Sequence, residues 1–167
     1  MSEDRWATLS DLYGTMRQTF REDHLRAALL TRALKTQLAK ALGCDRDSVP
    51  LFDYDEVTYE YVPEDDAFRA VSMNNDYVWF VGFGVTLERA PNAYPKTTFQ
   101  FPVWFHLSDN ETAVDTSFGK FTLSPGDKAD FTEACGAIYE GLKNSLIHRA
   151  KKQQTDKKFG FLNFATD

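Results

Sequence analysis

The sequence predicts an α+β fold: a long N-terminal helix, a five-stranded antiparallel sheet, and a C-terminal helix packed on one sheet face. Three patterns predict it. Residues 77–87 and 97–107 alternate with period two, the signature of strands. Residues 9–41 and 131–146 repeat with a period near 3.6, the signature of helices. Helices before and after a run of strands imply layers of helix on sheet.

The two long strands form the centre. On the first, Tyr77, Trp79, Val81, Phe83, Val85 and Leu87 share one parity; on the second, Thr97, Phe99, Phe101, Val103, Phe105 and Leu107 do. Successive side chains point to opposite faces, so each strand lays an apolar row on one side. That side is expected to lie beneath the helices.

The N-terminal helix is expected to start at Thr8, with Asp11 favoured in its first turn, and to stop at Gly43. Leu9, Leu12, Tyr13, Met16, Phe20, Ala27, Leu30, Leu34, Leu38 and Ala41 form its stripe, interrupted only at Asp23 and His24. A straight helix of this size would be about 50 Å long. A compact domain of this length has a radius of gyration of only about 15 Å. The sequence therefore predicts either a break near residues 21–24 or an overhang buried by a second copy of the chain, a homodimer.

Residues 44–55 read as a polar connector. Residues 56–62 alternate, with Val57, Tyr59 and Tyr61 on one side, and predict a strand; Pro63 opens a turn, and 68–73 return as another strand. The loop at 88–96, with Pro91 and Pro95, is too short and broken for a helix. Residues 113–123 predict the fifth strand, diluted by Ser117 and Gly119. Sequential strands usually neighbour each other, so a meander is expected. Pro102 cannot donate to a ladder, which marks its strand as an edge or a bulge. Ser124, Pro125 and Asp127 announce the last helix, whose stripe is Phe131, Ala134, Cys135, Ile138, Tyr139, Leu142 and Leu146. Residues 1–158 form one domain; 159–167 are an apolar tail. Its Phe159, Phe161 and Phe164 are expected to pack on their own domain, on a neighbouring copy or on a partner.

Charge is concentrated. The chain carries a net charge of -6, and residues 43–66 alone hold one basic and nine acidic side chains, a balance of -8. This disfavours nucleic acid and anionic membranes as partners and favours a basic protein. No apolar run approaches the roughly 20 residues of a membrane span, and no secretory h-region is present. Two cysteines, Cys44 and Cys135, make neither a disulfide scaffold nor a zinc site. A cytoplasmic protein is expected.

Three candidate sites emerge. Asp53, Asp55, Glu56 and Glu60 form an acidic segment suited to docking a basic partner, or, through Asp53 and Asp55, to holding Mg²⁺ in a nuclease. Phe80, Gln100, Trp104 and His106 lie with Gly82 and Gly84 on the reverse sheet face. There the glycines either admit a ligand or are covered by Trp104 or Phe80. His106 with Asp109 and Asp115 is a third possibility, a histidine near carboxylates. His24 and His148 read as a helix break point and a helix-end cation. There is no phosphate loop, nucleophile elbow, zincin motif or EF-hand, and no cofactor motif. The sequence thus points to a non-catalytic acidic module of inhibitor, immunity, chaperone or adaptor type. A small-ligand or hydrolase site near Trp104 and His106 is the alternative.

Overall fold

The computed structural model describes residues 4–91, 93–123, 129–156 and 165–166, with backbone alone at 153–156 and 165–166. The α+β architecture is as the sequence predicts. Helix α1 (Arg5–Leu42) leads into strands β1 (Leu51–Tyr54) and β2 (Tyr61–Pro63), then the single turn α2 (Ala67–Ala70) and β3 (Ser72–Met73). The long strands β4 (Trp79–Leu87) and β5 (Thr97–Leu107) follow, then β6 (Thr112–Thr116), β7 (Gly119–Leu123), α3 (Thr132–Asp156) and β8 (Ala165–Thr166). The strands form one antiparallel sheet in the order β2-β1-β4-β5-β6-β7; β3 pairs with β4, and β8 with β5.

The parity of the central hairpin is realised. Trp79 faces Phe105, Val81 faces Val103 and Phe83 faces Phe101. These six join Ala27, Leu34 and Leu38 of α1 and Ala134, Ile138 and Leu142 of α3 in one buried core. Tyr77 is excluded from the row: it sits at φ 61° before the strand begins, exposed.

Among the described residues the sheet has eight strands rather than five, and the differences have local causes. Residues 56–60 are a hairpin loop, not a strand. Asp55 Oδ1 accepts from the amides of Val57 (2.8 Å) and Thr58 (3.1 Å), and Tyr59 turns the chain at φ 60°. Residues 67–70 wind into α2 because Asp66 Oδ1 accepts from Phe68 N, an N-cap. The region 113–123 divides at Ser117-Phe118, where the Thr116 hydroxyl accepts from Phe118 N and donates to Gly119 O. Of the residues that diluted the expected strand, Ser117 lies in the turn and Gly119 opens β7.

Pro102 lies neither at an edge nor at a bulge; it pairs with Gly82 inside an unbroken β4–β5 ladder. Gly84 N donates to Pro50 O, toward β1. Gly82, two residues away, shares that direction, so Gly82 and Pro102 form a non-hydrogen-bonded pair. The proline nitrogen therefore faces β6, whose pairing begins only at Val103. No ladder bond is lost.

Helix α1 is continuous, without the break considered near 21–24. His24 restores the stripe instead of interrupting it. Its ring stacks on Phe68 (3.7 Å between centroids) and Trp79 (5.0 Å), and its Nε2–H donates to Phe68 O at 2.7 Å. The carbonyl satisfies the ring N–H while the ring face packs on Phe68 and Trp79, so the apolar face runs through. The helix begins at Arg5, capped by Asp4 accepting from Ala7 N, rather than at Thr8; Gly43 ends it in the left-handed conformation. Arg26 donates to Ser108 O and the Thr112 hydroxyl, fixing α1 to the sheet end. Gln37 donates to Ala129 O and accepts from Phe131 N, fixing α1 to the start of α3.

Residues 124–127 and Phe159, Phe161 and Phe164 lie outside the described residues. Described helix α3 begins at Thr132, whose amide and hydroxyl both donate to Asp130. Tyr139 and Leu146, expected in its buried stripe, instead line an exposed apolar depression of about 380 Å³ with Leu42 and Leu87. His148 lies two turns before the end of α3, not at it. Among the described residues, no helix is long and apolar enough to cross a membrane.

Candidate functional site

Strands β1 and β3 share one edge of β4, and a cleft opens where they fork. β1 pairs with β4 only at Leu51 and Phe52, opposite Phe83 and Gly82. It then peels away, and β3 takes over at Ser72, opposite Phe80. The depression in the fork has a volume of about 460 Å³. Its acidic wall is Asp53, Asp55, Glu56 and Glu60; Tyr54 and Phe80 supply aromatic surface, and Ser72, Asn74 and Asn75 the opposite lip.

The local chain geometry presents these carboxylates. Asp53 projects from β1. Asp55 folds the following loop by accepting from two amides, and its own N–H donates to Glu60 O at 3.0 Å, which brings Glu60 back to the same mouth. Glu56 Oε2 accepts from Trp104 Nε1–H at 3.0 Å and from Asn74 Nδ2 at 3.4 Å. Asn74 is in turn fixed by accepting from the amides of Asp76 and Val78.

The electrostatics of the cleft are unbalanced. Burial, then the neighbouring charges of Glu64 and Asp55, raise the Asp53 carboxyl above its ordinary value. Asp55 is held below its ordinary value by the backbone donors of Val57 and Thr58. Among the described residues, no Lys, Arg or His nitrogen lies within 4.0 Å of Asp53, Asp55, Glu56 or Glu60. The ion pairs of Arg69, to Glu64 and Asp66, involve none of these four. Repulsion among these carboxylates is relieved by any cation that enters. Tyr61, its ring tilted against that of Tyr54 with centroids 4.7 Å apart, is pushed up to about 12 by burial, then by Tyr54, so it remains a neutral phenol.

Of the residues the sequence singled out, Asp53, Asp55, Glu56, Glu60 and Phe80 meet in this cleft, and Trp104 reaches it through Glu56. Gln100 and His106 do not line it. Gln100 stands opposite Gly84, roughly 13 Å along the strand from Trp104 at the usual rise. His106 pairs with Ala113, exposed, while Asp115 pairs with Lys120 at 3.9 Å. Gly82 and Gly84 do not floor a cavity. A side chain on Gly82 would meet Tyr61 and Phe52, and one on Gly84 would meet Thr98, Phe52 and Pro50. The covering rings come from β1 and β2, not from Trp104 or Phe80 as expected. Among the described residues, no three His, Cys, Asp or Glu side chains form a group able to hold a metal ion. Tyr54, Ser72 and Asn74 were not foreseen, because the fork depends on pairing between segments distant in sequence.

No protein-family model matches this chain, nor does any curated protein or solved structure.

Proposed function

We propose that this chain is a cytoplasmic, non-catalytic binding module that takes a basic group of a partner protein into the β1/β3 fork. The observation that carries the reading is the convergence of four carboxylates in one aromatic-backed cleft that has no neutralising cation among the described residues. A guanidinium or ammonium entering there would meet the carboxylates of the wall, beside the apolar edge that Tyr54 and Phe80 contribute to the lining. Charge-assisted hydrogen bonds would then hold it. Two free thiols, Cys44 and Cys135, accord with a reducing compartment. An inhibitor, immunity, chaperone or adaptor role fits such a surface, since charge complementarity steers encounter and sets register.

The test is calorimetric titration of the full chain with an arginine-rich peptide at low and moderate salt. Binding is expected, weakened about tenfold by D53N/E60Q. The control D45N/D47N removes the same charge outside the cleft and should change affinity little. Equal losses in the two double variants, or no binding at low salt, would overturn the reading.

A further inference from the structure

We propose that residues 5–22 of α1 form an antiparallel helical pair with the same segment of a second copy of this chain. Every residue from Arg5 to Glu22 is exposed, a stretch of about 27 Å of helix that meets the body at its Phe20 end. An isolated helix of this length is marginal in water. Yet its inner face is strongly apolar: Trp6, Leu9, Tyr13, Met16 and Phe20 are 79%, 62%, 56%, 59% and 43% exposed. Their spacing is 3-4-3-4, the a/d seam of a two-helix coiled coil over two heptads. The seam runs on into the buried face of the same helix: Phe20 lies 5.2 Å from the Trp79 ring, and Ala27, Thr31, Leu34 and Leu38 follow in the core.

Area and charge point to a second copy as the occupant. Taking a large aromatic as about 150–250 Å², the five residues present roughly 600 Å² per chain. Two copies covering each other would bury on the order of 1,200 Å², the lower bound of specific stable interfaces. Within residues 5–22 the first half carries Arg5 and Asp11, a balance of zero, and the second carries Arg17, Arg21 and Glu22, a balance of +1; Asp4 adjoins the first half. An antiparallel pair sets each positive half against a neutral one that begins beside Asp4; a parallel pair sets the two positive halves together. Either direction gives a two-fold symmetric, closed pair, so the charges set the direction. The antiparallel pair places the two bodies at opposite ends of the shared segment, and the tip of each helix then meets the Phe20–His24–Phe68 surface of the other copy.

Sedimentation of the full chain at tens of micromolar is expected to give twice the chain mass. L9E/M16E should return it to the chain mass with its core melting unchanged, because neither side chain touches the body. A wild-type protein of single chain mass, or a dimer indifferent to L9E/M16E, would overturn the pairing. Spin labels at Ala7→Cys in a Cys44→Ser background then read direction. Labels more than about 20 Å apart are expected for the antiparallel pair, and labels about 10 Å apart would overturn it.

Discussion

Trp104 and Glu56, forty-eight positions apart, are joined by an indole N–H donating to the carboxylate at 3.0 Å. The bond crosses from the central strand β5 to the loop that closes the acidic cleft. It orders a carboxylate that would otherwise swing in solvent, and it keeps the 55–60 loop against the sheet. One side chain from the core sheet thus positions a wall of the site.

Replacing Trp104 by Phe keeps a ring beside Tyr54 but removes the donor. A hydrogen bond to a charged group is worth about 1.5–3 kcal/mol, and partial exposure reduces this. Trp104→Phe is therefore expected to cost about 1 kcal/mol in chemical denaturation, and to weaken binding of an arginine-rich peptide. Unchanged stability and affinity would mean that the contact does not order the loop.

Asp53 gives a pH signature. Its folded pKa is raised by burial, then by Glu64 and Asp55. Its stabilising contribution is fully present below the ordinary value of 3.8 and is lost as pH rises through the raised value. Asp53→Asn should therefore be more stable than the parent at neutral pH, by a few tenths of a kcal/mol given solvent screening. The difference should vanish near pH 3. Melting curves of both proteins from pH 3 to 7 check this. The same variant should bind a basic peptide less well, so stability and affinity move in opposite directions.

Gly82 is required by packing. A methyl there would lie 2.9 Å from Phe52 Cβ and 2.8 Å from Tyr61 Cδ1, and close to the Phe52 carbonyl oxygen. Overpacking of this kind costs about 1–3 kcal/mol. Gly82→Ala should lower the melting temperature by several degrees. Gly136→Ala, which has nothing within 4 Å in its way, should be neutral or slightly stabilising because alanine favours the helix.

The two thiols should separate under alkylation. Burial, then the charge of Asp130, pushes Cys135 up to about 11; Cys44, half-buried, is raised by burial, then by Asp45. At pH 8 neither is substantially a thiolate. Intact-mass analysis after iodoacetamide should show slow modification of Cys44 first, with Cys135 reacting only once the protein unfolds. Rapid double modification in the folded state would contradict the packing of α3.

The central hairpin was legible because alternation over two long strands leaves one choice of face: Phe83 and Phe101 could be placed inside from spacing alone. The short elements were not. β1 is four residues within an acidic stretch, and the alternation of Val57, Tyr59 and Tyr61 imitated a strand while Tyr59 was turning the loop without a glycine. His24 looked like a break because its type is polar; its ring proved to be an apolar plate with one satisfied nitrogen. The acidic residues of the site were visible as charge. Their convergence was not, since the fork arises from β1 and β3 meeting the same edge of β4, a long-range pairing that periodicity does not encode.

The most direct test is a backbone amide NMR titration with an arginine-rich peptide. The account predicts that shifts concentrate at Asp53–Glu60, Ser72–Asn75 and the Trp104 indole, and saturate together. Shifts scattered over the other acidic surfaces, or centred on Gln100 and His106 with the fork unmoved, would contradict it.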